Sequence, residues 1–286
     1  MIAISVSIGV LVAAIYLHMA TYQHTVSLRV TPAGNSRPSL PGGLGGLASL
    51  AGVNLPSDSS QTSFELYLQG YYSREAADRL ARDQKLMQAI FPREWSVSRQ
   101  EWMEPKGIVR TIAQPIKSLL GIPARRWSPP AGARLQEFLD KNVNTSRNRD
   151  SDIVVISIDM EDPQLGSRLL WQLHKTIDEA LRLRTLDRSS EYIDYLSNKL
   201  RTVTVDEYRQ ALVQTMAEQE KMRMMASSNL PFAAEPFGAP SASILPTKPN
   251  PPLVLLIGFL LGTLIGCVVA FVRDNLTLTV QKNVTE

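Results

Sequence analysis

Charge is missing from long stretches at both ends of the chain. Leu253 to Val272 holds 20 residues without a charged side chain. As a helix such a run extends roughly 30 Å, the thickness of a bilayer's hydrocarbon layer. A core helix of a globular protein keeps one polar face, and this run has none. Arg273 and Asp274 stop it. Met1 to Ala20 is a second apolar run. A secretory signal would carry a basic head and a small-residue cleavage site. Here no Lys or Arg comes first, and HMATYQ makes a poor cleavage site. The pattern predicts two membrane helices, residues 1–20 and 253–272, with a tail over 273–286. The missing basic head points to a start lying upstream. Arg273 and Lys282 favour a cytoplasmic C-terminus, which puts both ends on that side.

Between the runs, residues 21–245 read as one mixed domain. His24 to Pro32 alternates apolar and polar residues, as a half-buried strand does. Residues 34–60 are rich in Gly, Ser and Pro and predict a loop, with a brief helix at Leu44 to Leu50. Phe64, Leu66 and Tyr67, then Ala76, Leu80, Leu86, Met87 and Ile90, recur at helical spacing. Ser73 restarts that helix after Gly70, and Pro92 ends it. Arg93 to Pro130 is irregular apart from a helix at Ile108 to Leu120. Leu135 to Val143 predicts a short helix running into a turn. Ile153 to Ile158 is a β-branched strand, after which Asp162 suits an N-cap and Pro163 a first helical turn. Leu165, Leu169, Leu173, Ile177 and Leu181 follow at fourfold spacing, and the pattern lasts to about Arg201. Thr204 and Glu207 match a capping box that opens another helix. The expectation is a helical arm over about 163–227, turning near Val203 and packed on itself or on neighbouring subunits. The fold class is α+β: two transmembrane helices flanking a domain with a small mixed sheet and long extended helices.

Two local patterns bear on the membrane segment. Pro246, Pro249, Pro251 and Pro252 predict a semi-rigid extended strut over residues 246–252, between domain and bilayer. Gly258, Gly262, Gly266 and Ala270 form a small-residue stripe that lets another helix approach closely. The plainer explanation is that glycine is common in membrane helices.

Composition narrows the chemistry. The net charge is +3, from 30 basic and 27 acidic residues, and no basic block stands out, which argues against nucleic acid as a partner. The single cysteine, Cys267, lies in the second apolar run, so the middle region can form no disulfide. No phosphate loop, nucleophile elbow or zinc-ligand spacing is present, and the histidines His18, His24 and His174 are scattered. Asp159, Glu161 and Asp162 suit a cation or, more simply, a strand end and helix cap. His174 and Asp178 read as a surface pair, and Arg125-Arg126 before Trp127 suits an anionic partner or, more simply, a solvated pair. The Met-rich EKMRMMA segment reads as interhelix filler or a soft partner surface. No catalytic residue, cofactor or metal is expected, and the chain does not read as an enzyme.

This order of parts resembles the polysaccharide co-polymerases, the chain-length determinants of bacterial surface polysaccharides. TVSLRVTP after the first run, IVVISIDMEDPQLGSRLLWQLHKTID, and the stretch from EYIDYLSNKL through the return helix to PTKPNPP carry the likeness. It covers most of the chain and leaves Arg93 to Pro130 unassigned. The basic head is missing, the prolines are not evenly spaced, and no tyrosine-kinase domain follows Val272, so the form implied is the one without a fused kinase. The resemblance implies an inner-membrane protein whose bulk is periplasmic, assembled as a ring-like homo-oligomer. Its implied partners are a polysaccharide polymerase or an outer-membrane export channel, and the glycan. Its implied role is to regulate the length or export of O-antigen, capsule or exopolysaccharide by scaffolding. A two-span sensor or adaptor, and a membrane-anchored envelope enzyme, share the same layout.

Overall fold

A computed structural model describes residues 2–33, 58–105, 127–147 and 151–284, with side chains described up to residue 268 in the last helix. The helices expected at Leu44 to Leu50 and Ile108 to Leu120, and the Arg125-Arg126 pair, lie outside these residues. The chain forms two compact units. One comprises Met1–Thr25, Asp159–Pro163 and Ala242–Glu286, the other Val26–Ile158 and Gln164–Ser241.

The larger unit is built on a sheet. Strands β1 (His24–Pro32), β4 (Val143–Arg147), β5 (Val154–Met160) and β6 (Ala234–Pro236) lie in the order β4-β5-β1-β6, and β7 (Ser241–Ala242) also pairs β1. Val26, Leu28 and Val30 on β1, and Val154, Ile156 and Ile158 on β5, are buried at every second position. That is the period of a strand with one face in the core. β4 was expected as a turn. It runs antiparallel to β5, Val143 opposite Ile158 and Arg147 opposite Val154. Only Val143 of its five residues is buried, so this edge strand carries no alternation to read.

Helices pack on this frame as amphipathic pieces. Where one helix interrupted at Gly70 was expected, there are three: α2 (Asp58–Gly70), α3 (Arg74–Leu80) and α4 (Gln84–Ile90). Ser73 caps α3 by accepting from the Ala76 N–H, as its position suggested. The further break comes at Asp83, whose carboxylate accepts from the N–H groups of Lys85 and Leu86. Leu66 is 46% exposed, and α2 buries Phe64 and Tyr67 instead. A small hairpin of β2 (Trp95–Ser96) and β3 (Glu101–Trp102) follows, and then α5 (Gly132–Asn142).

Helix α6 (Pro163–Leu200) is 38 residues long, about 57 Å at 1.5 Å per residue. Leu169, Leu170, Leu173 and Ile177 bury its first half. The chain turns over residues 201–205 into α7 (Asp206–Ser227). The expected capping box does not form. Val205 is the N-cap and offers no side-chain bond, so Thr204 lies one residue too early. Asp206 and Glu207 sit in the first turn, where their charge suits the helix dipole. Only Ala226 of α7 is buried, and Leu183, Tyr192, Tyr195, Tyr208 and Val213 stay exposed along the arm.

The smaller unit contains α1 (Ile2–Met19) and α8 (Pro251–Val284). Among the described residues one helix is long and apolar enough to cross a membrane, over Pro251–Val268, and the apolar stretch of α1, Ala3–Met19, is shorter. Two expectations change here. Pro251 and Pro252 occupy the first turn of α8, where a missing N–H costs nothing, so they are helix and not strut. The expected tail over 273–286 is helical through Val284.

Candidate functional site: the paired apolar helices and the buried polar cluster

In the smaller unit the two apolar helices meet along glycine. A Cβ added at Gly9 would lie 2.4 Å from the carbonyl oxygen of Gly258 and 3.0 Å from the Cα of Gly262. One at Gly258 would lie 2.7 Å from the Ala13 Cβ and 2.8 Å from the Gly9 oxygen, and one at Gly262 2.8 Å from the Ser5 oxygen. As the α8 number rises the α1 number falls, so the pair is antiparallel. At these separations backbone touches backbone, and no side chain fits between. Gly266 is also buried, whereas the side chain of Ala270 lies beyond those described. The α8 stripe was singled out from its spacing, but its counterpart was missed. The signal was available: Ser5, Gly9 and Ala13 are small residues at the same fourfold spacing.

Beyond the helix ends, the proline segment is tied down. The Gln23 N–H donates to the Lys248 carbonyl at 2.8 Å, and the Thr247 N–H to the Gln23 carbonyl at 2.8 Å. Lys248 Nζ lies 2.8 Å from the Asp159 carboxylate, which also accepts from the Thr25 hydroxyl. Pro246 and Pro249 thus belong to a chain pinned against the start of β1, not to a free-standing strut. Asp159 has a cation of the chain's own as partner. Among the described residues no group of three His, Cys, Asp or Glu side chains could hold a metal ion.

In the larger unit, His174 and Asp178 are not the surface pair expected of them. They are 5% and 6% exposed, and each has other partners. Tyr67 Oη lies 2.8 Å from His174 Nδ1 and 2.7 Å from Tyr71 Oη. Asp178 accepts from the N–H groups of Phe232 at 3.1 Å and Ala233 at 2.7 Å, and its carboxylate faces Arg182 at 3.6 Å. It thereby fastens the chain leading into β6 onto α6. These polar groups lie at the i+4 and i+8 positions from Leu170, inside the helix's buried stripe. A histidine and an aspartate on an apolar face were the signal. Glu94, also buried, is held by Arg134 and by the Trp127 indole N–H at 2.8 Å, in the segment the family resemblance left unassigned.

Burial pushes the Tyr67 and Tyr71 phenols up, so both stay protonated and can donate. Burial lowers His174, against the opposing pull of Asp178 and with help from Lys175. A neutral ring accepting from Tyr67 fits this environment. An unfolded histidine titrates near 6.5 and takes up protons there, while the folded one resists them. Folding stability should therefore fall as pH drops below about 6.5, by up to about 1.4 kcal/mol per pH unit until the folded ring protonates. Hydrogen exchange over residues 169–178 of the full chain, at pH 7.5 and 5.5, measures this. His174→Gln should flatten that part of the pH dependence. An equal dependence in both proteins would assign it to other groups.

No protein-family model matches the sequence, and no curated protein does. Among solved structures, a full-length bacterial polysaccharide co-polymerase matches with a TM-score of 0.39 at 13% identity, covering 96% of this chain and 94% of that one.

Proposed function

We propose that the chain is an inner-membrane polysaccharide co-polymerase, which sets the length or export of a surface glycan as an oligomeric scaffold and makes no bonds itself. The observation that carries the reading is the antiparallel pairing of an apolar helix from each end of the chain, glycine against glycine. A chain closed in this way returns to its starting side of a bilayer, with residues 21–245 presented on the other. The order of strand, Asp-Pro and long helix, which the sequence shares with the family, supports the same reading. In it both ends are cytoplasmic, α1 and α8 are the two spans, and the periplasmic bulk assembles as a ring of identical subunits. A glycan polymerase or an export channel works alongside it.

Deleting the gene and resolving surface polysaccharide by electrophoresis tests this. The modal length should change or the surface amount fall, and a plasmid copy should restore it. Unchanged length and amount would refute the proposal.

A further inference from the structure

Among the described residues no large apolar side chain is more exposed than Ile244, at 96%, and Leu245 beside it is 75% exposed. They do not lie in a loose loop. On one side the Ser243 N–H donates to the Thr25 carbonyl at 2.9 Å, and the Ser243 carbonyl meets His24 Nδ1 at 3.0 Å. On the other, Thr247 and Lys248 are bonded to Gln23. Ile244 to Pro246 thus bulge from a ladder pinned at both margins by Gln23, Thr25, Ser243 and Thr247. A rigid bulge that presents two branched apolar side chains to water forgoes the favourable free energy of burying them.

The position of the bulge identifies its occupant. Gln23 is four residues past Met19, the end of α1, a distance of at most about 14 Å even if fully extended. Lys248, bonded to it, is three residues before Pro251, where α8 begins. Between α1 and the ladder stands Tyr22, half exposed, its hydroxyl donating to the Leu17 carbonyl. An amphipathic ring in that place suits the headgroup level of a bilayer. By chain length, the ladder that carries the bulge is therefore tied close to the ends of both apolar helices.

We propose that Ile244 and Leu245 are a shallow lipid anchor, seated among the headgroups and upper acyl chains at the foot of the helix pair. The anchor rests on the membrane reading above and adds a second point of attachment to it, fixing the tilt of the ladder against the bilayer surface.

The test uses the full chain in vesicles of phosphatidylethanolamine and phosphatidylglycerol, with an environment-sensitive nitrobenzoxadiazole dye on single cysteines in a Cys267→Ser background. Ile244→Cys reports the anchor, and Leu260→Cys, mid-way along the apolar window, reports the span. Nitroxide lipids labelled near the headgroup should quench the dye at 244 several-fold more strongly than lipids labelled near the chain terminus, and iodide should barely reach it. The dye at 260 should show the reverse depth preference. If 260 behaves as a span while iodide quenches 244 freely, the anchor fails and the span stands. If iodide reaches 260, both fail. A dye at 244 shielded from iodide and from every lipid nitroxide would place a second copy there and overturn the proposal.

Discussion

Replacing Gly262 by leucine is expected to part the two apolar helices. Even a single carbon at this position would meet the Ser5 carbonyl oxygen at 2.8 Å and the Val6 Cα at 2.9 Å. Both are backbone atoms of a continuous helix, so no rotamer change can clear them. Overpacking typically costs 1–3 kcal/mol where neighbours can adjust, and here the cost should sit at the upper end, about 3 kcal/mol. Gly258→Leu meets the Ala13 Cβ and the Gly9 oxygen and should behave alike. Nitroxides on Ile4→Cys and Leu264→Cys, both exposed positions, in a Cys267→Ser background give the readout. Dipolar broadening between them should be strong in the parent and lost in Gly262→Leu, with Gly262→Ala in between. Broadening that survives the leucine would return the glycines to mere abundance, and would remove the observation on which the proposed function stands.

What the sequence made legible follows from where its signals are redundant. β5 and the start of α6 announce themselves several times over, through Val154, Ile156 and Ile158, then Pro163, then Leu169, Leu173 and Ile177. Period, first-turn proline and composition agree there. Where only one signal existed, it misled. Four prolines suggested an extended strut, yet Pro251 and Pro252 begin a helix, because proline is as compatible with a first helical turn as with an extended chain. Thr204 and Glu207 had the spacing of a capping box without the register. β4 was hidden because its pairing with β5 depends on backbone bonds and on one buried valine.

The candidate site divides in the same way. Spacing alone picked out Gly258 and Gly262, but what they touch depends on α1, more than 240 residues earlier in the chain. Local periodicity carries no information at that separation. The polar cluster was misread for a related reason. A histidine and an aspartate four residues apart on one helix look like partners, and the structure gives each a partner from a distant segment: Tyr67 for His174, residues 232 and 233 for Asp178. Buried polar groups are satisfied wherever the fold brings donors and acceptors together, so their burial is a tertiary fact.

Asp178→Ala is expected to be the most damaging single change in the larger unit. Its carboxylate accepts from the N–H groups of Phe232 and Ala233, and lies 3.6 Å from Arg182. Alanine would leave those donors without acceptors and would take from the Arg182 guanidinium, whose Nε already lacks a partner, the more buried of its two carboxylates, leaving only the exposed Glu179 at 3.6 Å. Breaking a buried pair from one side costs about 3–5 kcal/mol, against the total of roughly 5–15 kcal/mol that holds a typical domain folded. The segment from α7 into β6 should lose its hold on α6 first. Pulse proteolysis of the full chain across a urea series should show cleavage near residues 228–236 at much lower urea than in the parent. Asp178→Asn keeps one acceptor and should lose less. Adding Arg182→Met to the alanine variant should recover part of the loss, because it removes a mostly buried charge left with the exposed Glu179 alone. An alanine variant as resistant as the parent would mean that Asp178 does not fasten the return segment, and that the ladder of β6 on β1 holds it alone.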